Sequence, residues 1–256
     1  MLRAFSTAAT GMTAQQTIVD TIANNLANIN TSGFKRSQVD FQDLMYLKLQ
    51  EPDAVAPSGF EIGSGVRAAS TMKVFTQGEM DNTGGELDMS IQGDGFFQVS
   101  VGGKTLYTRD GSLRRDSKGT LVNSSGYTIE PAITIPNDAR SISIAPDGTV
   151  TVFSGTNTTP TTVGQIALIR FANPSGLTSE GGNLLAETPA SGSPISGIAS
   201  QNGFGSIQQG FLERSNVQMV TELVNLITAQ RAYEINSRAI KAGDDMLNTA
   251  NRLIGG

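Results

Sequence analysis

The chain has 256 residues, a formal net charge of -5, only 16% charged residues and 80 Ser, Thr, Asn and Gln residues, so its polarity is mostly uncharged and its balance disfavours a nucleic-acid partner. It contains no His, Cys or Trp, which excludes imidazole bases, Ser-His-Asp triads, thiolate nucleophiles, iron–sulfur or His/Cys-ligated zinc sites, and disulfides.

All nine prolines lie between Pro52 and Pro194, which leaves both ends of the chain free to be helical. Residues 1–41 are read as an N-terminal helical arm. Leu2, Phe5, Ala9, Met12, Gln16, Val19, Ala23 and Leu26 recur at alternating steps of three and four, the spacing of a coiled-coil seam. Thr31-Ser32-Gly33 supplies a glycine stop. Arg3 and Asp20 are the only charges in the first 30 residues, so most of this helix is expected to be covered by other subunits rather than water. The residues after Arg3 form no apolar run, so neither membrane insertion nor a cleaved leader is expected.

Residues 42–65, with Pro52, Pro57, Gly59, Gly63 and Gly65, read as an extended connecting stretch. Such a stretch has to hydrogen-bond to something, and neighbouring subunits are the expected partners. Phe41, Leu44, Tyr46, Leu47, Phe60 and Ile62 are its apolar anchors.

Residues 66–210 read as a β domain, because turn signals recur about every 8 to 10 residues from Gly84-Gly85 onward. Ser141–Ile144 and Thr149–Val152 alternate on either side of Pro146-Asp147-Gly148, as a half-buried hairpin does. Gly93-Asp94-Gly95 is read as a turn, since Gln98 stands where a dinucleotide loop needs its third glycine. Asp110, Asp116 and Asp147 suit turns, while Arg109 and Arg114-Arg115 are read as an edge guard or subunit contact. The S-x-x-K pattern occurs twice, at Ser32–Lys35 and Ser70–Lys73, without the S-D-N that an acyl enzyme needs. Asp244 and Asp245 project about 100° apart on a helix and are read as solvated. No catalytic, cofactor or metal site assembles from these residues, and no enzyme is expected.

Residues 211–256 read as a second helical arm, with Ser215 and Gln218 as a capping box. Leu212, Met219, Leu226, Tyr233, Ile240, Leu247 and Ile254 fall every seven residues, and small Ala229, Gly243 and Ala250 sit three positions beyond Leu226, Ile240 and Leu247. Large and small residues so placed let a partner helix approach closely. The expected fold is therefore α+β: a discontinuous antiparallel helical stalk, coiled-coil-like, with a central antiparallel β domain. Beside a structural role, a secreted β-domain adhesin or binding module on a coiled-coil stalk fits the same pattern.

Ala23-Asn24-Asn25-Leu26-Ala27-Asn28-Ile29-Asn30-Thr31-Ser32-Gly33-Phe34-Lys35-Arg36 resembles the N-terminal signature of bacterial flagellar rod and hook proteins. Ser215-Asn216-Val217, Glu222-Leu223-Val224 and Gln230 to Ser237 resemble the matching C-terminal signature. Gly93 to Val99 and Tyr107 to Leu113 resemble the family's central β region, so the resemblance spans the whole chain. Within the family, the stretch Leu44 to Val66 and Pro131 to Pro136 are most similar to distal-rod members, with proximal-rod members the nearest alternative. The resemblance implies a basal-body axial protein that leaves through the flagellar type III export apparatus and polymerises with itself into a hollow, periplasm-spanning drive shaft. It further implies proximal-rod and hook subunits as partners, and ring bushing proteins where outer rings exist.

Overall fold

The structure, a computed structural model, describes residues 2–50, 59–154 and 159–254. Two helices and many antiparallel strands make it an α+β fold, and the chain divides into two compact units. Met1–Ala27, Ser37–Lys73 and Gln218–Gly256 form a helical unit, and Asn28–Arg36 with Val74–Val217 form a β unit.

The helical unit contains α1 (Leu2–Ala27) and α2 (Met219–Ile254). They run antiparallel: Phe5 of α1 lies over Gly243 and Gly11 lies against Asn236, so the contact index falls along α2 as it rises along α1. A Cβ at Gly243 would stand 2.8 Å from the Phe5 ring, so glycine is what lets that ring seat. The helical unit also holds β1 (Ser37–Asp43), β2 (Tyr46–Gln50), β3 (Phe60–Gly63) and β4 (Val66–Lys73), in the antiparallel pairs β1–β4 and β2–β3. The buried Asn25 amide brackets the start of β1, donating to the Ser37 carbonyl and accepting from the Ser37 N–H at 2.9 Å each. The hydroxyls of Thr13, Thr17 and Thr21 donate to carbonyls four residues back, which satisfies polar side chains along a helix that carries almost no charge.

In the β unit the strands run β5 (Met80–Asn82), β6 (Met89–Gln92), β7 (Phe96–Val101), β8 (Lys104–Thr108), β9 (Arg114–Arg115), β10 (Leu121–Val122), β11 (Thr128–Glu130) and β12 (Ala139–Ile144). They continue as β13 (Thr149–Ser154), β14 (Thr161–Gln165), β15 (Ala167–Arg170), β16 (Thr178–Gly181), β17 (Leu184–Ala186), β18 (Ile195–Ile198), β19 (Ser206–Gln209) and β20 (Phe211–Glu213). The largest sheet has the order β16-β17-β8-β7-β11-β10-β9, with β15 joining β7 to β18. Its core gathers Met89, Ile91, Phe97, Val150, Ile166 and Leu168, all fully buried. The alternation read from the sequence is realised in the β12–β13 hairpin, where Ile142, Ile144, Val150 and Val152 point inward. At its turn, Asp147 accepts the Thr149 N–H, a bond that favours the ionised carboxylate and lowers its pKa.

Several expectations differ from this structure. The stretch 42–65 is not an unpaired connector: its described parts belong to β1–β4 and β2–β3, which hydrogen-bond to each other within the chain. Val66–Lys73 therefore belongs with the helical unit rather than opening the β domain at residue 66. The arm 1–41 is helical only to Ala27, and Gly33 is not a helix cap but a close-approach residue of the β unit. Its φ is +68°, and a Cβ there would stand 2.6 Å from the Asp110 backbone nitrogen. The second arm starts at Met219 rather than 211, because Phe211–Glu213 is strand β20. The Ser215 hydroxyl accepts from the nearby Val217 N–H, so Ser215 closes a turn ahead of the helix.

Candidate assembly faces and a buried charge cluster

Along α1 the predicted seam residues Phe5, Met12, Val19 and Leu26 are half-buried within the chain. Their companions differ: Ala9, Gln16 and Ala23 are exposed, while Ala8, Gln15 and Ile22 turn inward, with Ile22 buried. This companion row is shifted by one residue because Ile22 gains more from burial than Ala23. The helix also touches β1 and β4, so part of the cover expected from other subunits comes from this chain itself.

Along α2, Leu226, Ile240 and Leu247 are half-buried, whereas Met219 and Tyr233 are 51% and 43% exposed. A strict seven-residue row drifts by about 20° per heptad on a straight helix, so not all its members can face one partner. The second inward row is Glu222, Ala229, Asn236 and Gly243: Ala229 and Gly243 are small residues read from the spacing, while the polar Glu222 and Asn236 are ones hydrophobic spacing could not reveal. The side chains of the predicted seam residues Leu2 and Ile254 lie outside the described residues. Replacing Gly243 with leucine is expected to expel Phe5 and cost the helical unit roughly 1–3 kcal/mol. Loss of α-helical ellipticity at lower temperature, with the β unit melting as before, is the measurement.

A further row on α2 faces outward. Val220, Leu223, Val224 and Ile227 are spaced i, i+3, i+4 and i+7 and are 75%, 40%, 56% and 50% exposed. In the strand pairs, Phe41 and Leu44 are half-buried, while Met45, Tyr46, Leu47 and Ile62 are exposed. The Phe60 side chain lies outside the described residues. Leu47 and Ile62 border a cleft of about 160 Å³ whose other wall is Arg3, Ser6 and Thr7 of α1.

Inside the β unit is a charge cluster that sequence reading missed. The Glu213 side chain is fully buried. Its Oε1 accepts from Lys35 Nζ at 2.5 Å and from the Gly78 N–H at 2.9 Å, and its Oε2 accepts from Arg109 Nε at 3.0 Å. Arg109 is therefore not the edge guard expected of it: its Nη1 donates to the carbonyls of Gly93 and Gly95, so the Gly93-Asp94-Gly95 turn is its cradle. Arg114 and Arg115, by contrast, are exposed on the terminal strand of the large sheet, where charge guards an edge. Lys35 Nζ also donates to the Thr76 carbonyl. Burial alone would raise the Glu213 pKa, but Arg109, Lys35 and the donated hydrogen bonds outweigh it and hold the pKa low. Burial lowers the Lys35 pKa by more than Glu213 raises it, and the neighbouring Arg109 charge adds a smaller lowering. Of the predicted turn residues, Asp110 accepts the Ser112 N–H, yet burial raises its pKa.

Phe75, Phe96 and Phe171 with Asp94 and Arg170 line a cleft of about 350 Å³. Arg109 also borders it but is already bonded to Glu213, which leaves a wall of aromatic edges rather than an acid–base pair. Asp244 and Asp245 are exposed as expected. Among the described residues no helix is long and apolar enough to cross a membrane.

Three family matches fall in order along this architecture. Residues 5–35 match the flagella basal body rod protein family, residues 90–152 the flagellar hook protein FlgE/F/G D1 domain, and residues 208–253 the flagellar basal body rod FlgEFG protein C-terminal. The chain belongs to the flagellar hook and basal-body rod family. Its full-length relatives narrow the likeness to the rod protein FlgG: that of Borreliella burgdorferi is 46% identical, with 99% of each chain covered. The FlgG proteins of Buchnera aphidicola from Acyrthosiphon pisum and of Bacillus subtilis are 47% and 37% identical, covering 95% and 96% of this chain and 96% and 97% of their own.

Proposed function

We propose that this chain is a structural, non-catalytic subunit of the flagellar basal-body rod, of the distal-rod kind, which polymerises with itself through its two helices into a stiff hollow shaft. The carrying observation is the outward apolar row Val220, Leu223, Val224 and Ile227, on a helix whose inward row already packs against α1. Water-exposed apolar residues at helical spacing are satisfied by another protein surface. The full-length likeness to rod proteins supports another rod subunit as that surface. On this reading the chain is exported by the flagellar type III apparatus and joins proximal-rod and hook subunits, with ring bushing proteins around it where outer rings exist. Negative-stain microscopy of the concentrated protein, and of basal bodies labelled against it, tests the reading. Straight hollow polymers and labelled rods are expected; a protein that stays monomeric at every concentration and labels no basal body would refute it.

The strand pairs refine the stiffness idea. Each strand pairs with one partner within the chain, and the side chains exposed toward a neighbour are Tyr46, Leu47 and Ile62. Replacing both Leu47 and Ile62 with serine is expected to leave polymer length unchanged and shorten persistence length several-fold, read from curvature in micrographs. Equally straight double-mutant polymers would remove these residues from the stiffening role.

A further inference from the structure

The chain crosses between its two units four times, after residues 27, 36, 73 and 217. Every one of these crossings begins or ends in a short segment of the β unit, and those segments are bonded to one another. Residues 33–36 join the 213–216 stretch through Gly33 N–H to the Glu213 carbonyl and Arg36 N–H to Asn216 Oδ1. Residues 74–79 join both: Val74 N–H donates to the Arg36 carbonyl, Arg214 N–H to the Glu79 carbonyl, and Asn216 Nδ2 to the Val74 carbonyl. The Glu213 carboxylate closes the set, because it binds Lys35 from the first segment and Gly78 from the second while Arg109 anchors it to the sheet.

We propose that this Glu213-centred junction is a clamp through which mechanical load enters and leaves the β unit, Lys35, Glu213 and Asn216 being its positioning residues. The physical reason is that force applied to either unit must reach the other along the covalent crossings. Three loose segments would each give way separately. Three segments bonded to one buried carboxylate yield together, because freeing any one of them leaves buried groups without their partners. The clamp rests on the geometry of the β unit alone; its mechanical use rests on the rod reading above.

Hydrogen exchange on the purified full chain tests the clamp without any assembly. Replacing Glu213 with glutamine is expected to speed exchange at Gly33, Arg36, Val74 and Gly78 together by about 10- to 100-fold, the factor that corresponds to losing a hydrogen bond to a charged group. Amides of β13 should stay as protected as before. Acceleration at Gly78 alone would overturn the proposal, because it would show three independent segments. Should Glu213→Gln expose β13 as well, Lys35→Met decides. That variant leaves Glu213 paired one-to-one with Arg109, and opening of Arg36 and Val74 together supports the clamp while an unchanged pattern rejects it. In polymers sheared by flow, the Lys35→Met subunit should fragment at lower shear than wild type; fragmentation at the same shear would reject the mechanical role. Failure of wild-type protein to polymerise would instead count against the rod reading and leave the exchange result standing.

Discussion

Glu213→Ala is expected to destabilise the β unit by about 3–5 kcal/mol, because it strands Lys35 and Arg109 as buried cations with no counter-charge. Denaturant unfolding followed on the β-sheet signal measures it, and a loss under about 1 kcal/mol would mean that water reaches both cations once the carboxylate is gone. The same carboxylate sets an acid limit. Its folded-state pKa lies below the unfolded value of about 4.3. The unfolded chain therefore binds the proton first, and the stabilisation is complete above that value and lost as pH falls through the folded pKa. Wild-type stability should accordingly fall more steeply than that of Glu213→Gln at pH below about 4. Equal slopes would show that some other carboxylate governs acid unfolding.

The largest effect on assembly is expected from α2. Converting Val224 and Ile227 together to aspartate should raise the critical concentration for polymer formation at least 100-fold or so, since each buried aliphatic side chain is worth about 1.5–3 kcal/mol and each charge adds a desolvation cost. Both residues are about half exposed in the chain, so the melting of the isolated subunit should not change. Sedimentation of polymer against protein concentration, beside a thermal melt of the monomer, separates the two outcomes. Polymer formation at the wild-type concentration would show that this face stays in water after assembly. A lowered melting temperature would show instead that the row packs within the subunit.

Much of this protein is local and was therefore legible in its residues. Periodicity placed both helices, since a three-and-four apolar rhythm depends only on helix geometry: α1 ends at Ala27 and α2 spans Met219–Ile254. Turn residues placed the β12–β13 hairpin for the same reason. The pairing of the described parts of 42–65 within the chain was out of reach because strand pairing is a contact between distant residues. Nothing local in Ser37–Asp43 announces that Val66–Lys73 will pair with it. The companion row of the helix seam lies one residue from its expected place because Ala8 and Ala9 are equivalent in a one-dimensional pattern, and only packing against α2 and the strands distinguishes them.

The charge cluster lay furthest out of reach. Lys35 sat in a recognised signature and Arg109 in a small basic group, while Glu213 had no distinguishing context. Lys35 and Glu213 are 178 positions apart. The sequence by itself determined which segments would be helical, where the chain would turn, which chemistry was absent and which family the chain resembles. Those properties follow from neighbouring residues and from composition. Only the tertiary structure decided which charges would be buried together and which apolar row would remain exposed. Both depend on where the chain returns to itself in space, and the energy of a buried charge is set by the partners it meets there.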